Sequence, residues 1–153
     1  MPTSQLACHV PKDTDRFGTP KAFLNGRFDI KLSSGDSGGS LFVVDTVRSG
    51  QGGPPLHLHH AQDEWFLVQE GRFRFRIGES DYTLEQGDTI FGPRGVPHAF
   101  VNLTEQARLL VVFTPAGTME AFFAHSLLDP RSQAFRELSH AHGMEVVGPP
   151  LKV

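Results

Sequence analysis

A chain of 153 residues with 39% apolar and 20% charged side chains has the size of one domain and can bury a core. A net charge of −3 provides no basic stripe for nucleic acid, and the single Cys8 excludes an internal disulfide or a CxxC pair. No apolar run approaches the ~20 residues that cross a bilayer, and no basic start leads into an apolar leader, so the expected setting is the reducing cytoplasm.

Residues 1–26 are polar and broken by Pro2, Pro11 and Pro20, with Asn25-Gly26 as a turn, and are expected to form an arm over the body. From Arg27 the pattern becomes a series of short alternating or apolar runs. These are Arg27–Leu32, Ser40–Arg48, Leu56–His59, Glu64–Glu70, Arg72–Ile77, Tyr82–Leu84, Asp88–Phe91, His98–Asn102 and Arg108–Thr114. Turn residues separate them: a Ser/Gly loop over 34–39, Glu70-Gly71, Gly78 to Asp81, Gln86-Gly87, and Pro93-Arg94-Gly95, which suits a type II turn. Arg72, Arg74 and Arg76 alternate with Phe73, Phe75 and Ile77, which makes them the solvated face of a strand rather than a phosphate patch. Many short strands at near-regular spacing predict an all-β sandwich or barrel over 27–114.

After Pro115 the period turns helical, and residues 115–153 are expected to pack on the barrel as helices and a tail. Thr118 is a candidate cap for a helix with Met119, Phe122, Phe123 and Leu127 on one face. Asp129-Pro130 is a second start signal, followed by a stripe of Ala134, Phe135, Leu138 and Ala141 and a stop at Gly143.

The chemistry concentrates in two places. In a strand, His57 and His59 point to one side, whereas Glu64 has the opposite parity, so the stretch 60–63 must reset the phase for the carboxylate to join them. His98 opens a later strand, with Phe100 and Asn102 on its face. Three neutral imidazoles and a carboxylate suit a borderline divalent ion: Fe, Mn, Ni, Co, Cu or Zn. Asp63 is read as an exposed turn carboxylate rather than an orienter of an imidazole, and His60, His125, His140 and His142 as surface residues; Gln51 lies near enough in sequence to reach the cavity.

The spacing His57-x-His59-x4-Glu64-x6-Gly71, followed by Gly87-x5-Pro93-x-Gly95-x2-His98-x3-Asn102, resembles the two motifs of the cupin superfamily. Only the opening glycine departs: Gln51 stands at its place, between Gly50 and Gly52. The resemblance implies an antiparallel double-stranded β-helix, or jelly-roll barrel, with His57, His59, Glu64 and His98 as metal ligands. It also implies structural roles for Gly71, Gly87, Pro93, Gly95 and Asn102. Pro54 to His57, Asp63 to Phe66, Pro93 to His98 and the closing 144–151 segment look like the small quercetin-dioxygenase-like cupins.

From that likeness the expected function is a metal-dependent dioxygenase acting on a small aromatic, phenolic or enolic ligand that chelates the ion inside the barrel. Glu64 is the candidate general base. Phe66, Val68 and Phe100, with Phe42 or Phe75, are the candidate apolar wall. A non-catalytic metal-dependent binding module, or a metal-assisted isomerase, hydrolase or lyase, would use the same ligands. Exposed sheet edges lead us to expect a homodimer.

Overall fold

The computed structural model describes residues 5–125 and 128–153; Leu127, expected on the first helix face, lies outside them. All nine expected runs form strands, with ends displaced by no more than two residues. In chain order the strands are β1 (Lys21–Phe23), β2 (Gly26–Leu32), β3 (Phe42–Ser49), β4 (Pro55–His59), β5 (Asp63–Glu70), β6 (Phe73–Ile77), β7 (Ser80–Leu84), β8 (Thr89–Gly92), β9 (His98–Asn102), β10 (Gln106–Thr114) and β11 (Met144–Pro150), with helices α1 (Met119–Phe123) and α2 (Gln133–Ala141) before the last.

The strands form two antiparallel sheets, ordered β1-β2-β3-β10-β5-β8 and β11-β4-β9-β6-β7. The period-two pattern dictates which side chains meet between them. Phe42 and Val44 of β3, Phe66 and Val68 of β5 and Leu109 and Val111 of β10 face Phe73 and Phe75 of β6, and all are buried. Phe66 lies 4.9 Å from Phe75 and 5.8 Å from Phe100, edge to face, so one end of the barrel is filled with aromatic rings. As expected, the arginines alternating with Phe73 and Phe75 turn outward, and Arg76 pairs with Asp81.

Two strands go beyond the expected set. β1 forms a hairpin with β2 across Leu24-Asn25, one residue earlier than the expected turn, with Leu24 in the left-handed region at φ 56°. β11 pairs with β4, setting Met144 opposite His59 and Val146 opposite His57. Its prolines disguised it. At a sheet edge, however, a missing N–H leaves no ladder bond unmade.

The segment before β1 lies on the outer face of the larger sheet. Asp15 accepts from the Ile30 N–H, and Arg108, Asp45 and Asp13 form an ion-paired chain beneath it.

The helix starts differ from expectation. Thr118 occupies the first N-cap position without a side-chain cap; its Oγ1 instead meets His142 Nδ1 at 2.8 Å. The second helix is capped by Ser132, not Asp129. Ser132 is extended (ψ 155°), so its Oγ accepts from the Phe135 N–H, while Asp129 is occupied with the Arg131 N–H. The buried face of α2 is Phe135 and Ser139 with half-buried Leu138, and Ala134 and Ala141 are exposed. No helix among the described residues is long and apolar enough to cross a membrane.

Candidate metal centre

β4 presents His57 and His59 on one face, and β9 lies beside it with His98 directly opposite His57. The His57 and His98 rings are 4.5 Å apart between centroids, and the His59 and His98 rings stack at 5.6 Å. Glu64 reaches them from the other sheet. The turn after His59 carries the chain from the smaller sheet to the larger, so the carboxylate faces the histidines across the interior. The expected reset of parity is thus made by a turn that also changes sheet.

One ligating atom from each of His57, His59, Glu64 and His98 lies within 4.8 Å of all the others. Glu64 Oε2 touches His98 Nε2 and is 3.5 Å from His59 Nε2. His59 and His98 are 2% exposed and Glu64 4%, yet among the described residues both ring nitrogens of His59, Nε2 of His98 and Oε2 of Glu64 make no hydrogen bond of proper geometry. Buried polar atoms left in this way are costly unless something satisfies them, and a cation at their common centre would satisfy Glu64 Oε2, His98 Nε2 and one ring nitrogen of His59. The donor set fits a divalent transition metal ion.

The surroundings prepare these groups for that role. His57 Nδ1 lies 2.8 Å from Pro55 O and His98 Nδ1 3.2 Å from Val96 O; with Nδ1–H donating, each Nε2 presents its lone pair to the centre. Burial, followed by repulsion from His98 and His59, lowers the His57 pKa to about 3, and burial likewise lowers that of His59, so both are neutral at pH 7. Burial alone would raise Glu64, but attraction to His59 and His98 outweighs it and holds the carboxyl at about 2. Burial lowers His98, and the Glu64 charge more than offsets this, so its net direction is upward.

The centre opens on a cavity of about 60 Å³ whose lining is almost wholly apolar, including Phe28, Val44, Phe100, Phe113, Met119 and Phe122. Of the three expected wall residues only Phe100 lines it. Phe66 and Val68 are fully buried in the ring-filled end of the barrel, because β5 runs away from the mouth after Glu64; Phe42 and Phe75 are also buried outside the lining. The wall is completed by α1, α2 and the β1–β2 hairpin through Phe122, Phe123, Phe135 and Phe23. The helical stripes that the sequence offers as packing faces therefore also roof the cavity. Arg48, also on the lining, escaped the sequence reading. The available signal was its parity, shared with Phe42 and Val44.

The remaining sequence candidates fall outside the centre. Gln51 is exposed and donates to Leu103 O, and Asp63 is engaged by Arg94 at 3.0 Å. His60 pairs with Glu145 on the surface; His125 and His140 are exposed, whereas His142 is half-buried. Asn102 is fully buried and donates to Gly50 O and Thr104 O while accepting from Asn25 and Gly52, which secures the glycine loop before β4. In that loop Gly53 is the residue that must lack a side chain: a Cβ there would lie 1.8 Å from Phe100 O.

The sequence profile of the family described as Cupin domain matches residues 43–113, the stretch that contains all four ligands. An uncharacterised protein of Streptomyces coelicolor is 39% identical over 103 residues, covering 67% of this chain and 89% of that one. The quercetin 2,3-dioxygenase of Bacillus subtilis is 30% identical over 111 residues, covering 71% of this chain but only 33% of that longer protein. Among solved structures, an RmlC-like cupin from Shewanella frigidimarina superposes with a TM-score of 0.58 at 21% identity, over 74% of this chain and 96% of that one.

Proposed function

The chain belongs to the cupin superfamily, and from that premise we propose that it is a metal-dependent dioxygenase acting on a small aromatic or enolic substrate that chelates the ion. The observation that carries this reading is the opening of four convergent ligands onto a cavity walled by phenylalanines. Such a wall holds a flat ring and offers little to a sugar, which needs many hydrogen-bonding partners. The similarity to one third of a quercetin dioxygenase supports the same class of chemistry.

A divalent ion of Fe, Mn, Ni, Co, Cu or Zn held by His57, His59, Glu64 and His98 supplies Lewis acidity toward a substrate hydroxyl or carbonyl oxygen. Phe100 and Phe113 flank the ring and exclude water beside the centre. Glu64, ionised at neutral pH, withdraws from the ion to accept the hydroxyl proton, leaving an electron-rich substrate anion whose ring or enolate carbon forms the bond to O₂. Phe66 acts from behind, bracing the His98 ring at 6.2 Å.

Oxygen uptake with a flavonol and a series of phenols, after reconstitution with each metal in turn, tests this. Consumption and an oxygenated product with at least one metal are expected. Metal-dependent binding without consumption for any of them would replace the enzyme by a binding module. The same proposal includes a homodimer, since the edge strand β8 carries Phe91, 53% exposed, beside Trp65 of β5. Light scattering that shows a monomer at micromolar concentration would reject it.

A further inference from the structure

The cavity wall contains one side chain that this chemistry leaves unused. Arg48 is 1% exposed and extends from β3 into the cavity. Its guanidinium carbon lies 5.1 Å from the Phe100 ring and 5.8 Å from the Phe28 ring, and its Nη1 donates to Asn25 Oδ1. Among the described residues, Nε and Nη2 have no hydrogen-bond partner. Burial is the one influence on its pKa, lowering it to about 10, so the group stays cationic at neutral pH with no opposing carboxylate among the described residues.

Two aromatic faces and an asparagine explain how the charge is tolerated, but not why it is there. An apolar side chain of similar length would fill the same space with far less desolvation. The free edge is informative. Elsewhere in this protein Arg16, Arg76 and Arg94 each grip a carboxylate with Nε and Nη2 together. That is the fork suited to bidentate carboxylate recognition. In Arg48 the same edge is unmatched, and it belongs to the cavity that contains the metal centre.

We propose that Arg48 is the anion anchor of the cavity, selecting aromatic or enolic acids whose carboxylate pairs with Nε and Nη2 while another oxygen reaches the metal centre. This rests on the site being a metal-chelating substrate pocket. Phe100, over which Arg48 lies, follows His98 by two residues on β9, a rise of about 6.6 Å. The ligand therefore lies with its ring along Phe100, between the chelating oxygen and the carboxylate.

The test uses 3-(3,4-dihydroxyphenyl)propionate and its primary amide as probes, titrated calorimetrically into protein reconstituted with redox-inert Zn²⁺. The wild type should bind the acid at least tenfold more tightly than the amide. Arg48→Met should bind both alike, and Arg48→Lys should keep part of the preference. Equal affinities in the wild type, no binding of either probe, or a preference that survives in Arg48→Met would overturn the assignment. Arg48→Met should melt at or above the wild-type temperature. Should it not fold, the wild-type acid-to-amide ratio and Arg48→Lys decide between the outcomes. The same titration with metal-stripped protein separates the two proposals. An acid preference that persists there, with no oxygen uptake by any metal-loaded form, keeps the anchor and removes the dioxygenase. Oxygen uptake without an acid preference does the reverse.

Discussion

Gly53 and the ligand histidines show how narrow the tolerances are at single residues. A Cβ at Gly53 would collide with the carbonyl of Phe100, and backbone cannot withdraw as a flexible side chain can. Gly53→Ala should therefore destabilise the protein by about 1–3 kcal/mol. Because Phe100 lies two residues from His98, metal content should fall with it; urea unfolding and elemental analysis check the two effects. His57→Ala combined with His98→Ala removes two of the four ligands. In protein purified without a histidine tag, metal should drop from about one per chain to near zero. The wild type should also gain thermal stability from added metal, by about 4 kcal/mol at a concentration a thousandfold above Kd, whereas the double variant should gain none. Of the ligands, His57 and His59 are legible locally, because they share a strand face whatever the tertiary fold, whereas Glu64 and His98 join them through the resemblance of the two motifs to those of cupins. Arg48 and Phe113 were not legible, because their place on the lining depends on how distant strands and helices close over the mouth.

At the scale of elements, alternation was enough to find nine strands but could not reveal which sheet each would join. The turn that the sequence requires between His59 and Glu64 is present, and it also carries the chain from one sheet to the other, which alternation alone does not reveal. The edge strand β11 carries Gly148-Pro149-Pro150, which reads locally as coil, and only its pairing with β4 makes it a strand. The cap of α2 likewise fell to Ser132 over Asp129, a choice made by local backbone geometry that composition cannot rank. Across the larger sheet, Arg108 of β10 and Asp45 of β3 form a buried pair beneath the N-terminal segment, with Gln69 also donating to Asp45. Arg108→Ala leaves the Asp45 carboxylate buried without its cation and should cost about 3–5 kcal/mol, read from chemical denaturation. Arg108→Ala with Asp45→Ala should recover part of that loss.

For the molecule as a whole, the N-terminal segment adds a pH-dependent contribution to stability. Arg16 hydrogen-bonds Asp36 through both carboxylate oxygens, and with the Ser33 N–H it holds the Asp36 carboxyl below its usual range. A carboxyl depressed in the folded state stabilises above its unfolded pKa, ~3.9, and that contribution disappears as pH falls through the folded value. Asp36→Asn should thus lower Tm at pH 7 and flatten its decline below about pH 4; parallel curves for the two proteins would contradict this.

The pairing of β11 with β4 also has a consequence for biosynthesis. The ligand strand meets β9 through the single opposed pair of His57 and His98, whereas β11 is matched to it at Met144, Glu145, Val146 and Pro150. During translation β4 is made well before its main partner, so a nascent chain lacking Met144–Pro150 lacks most of the backbone pairing of the strand that carries His57 and His59. A nascent chain stalled before Met144 should therefore retain less metal than the released protein, a difference that elemental analysis of the two would read.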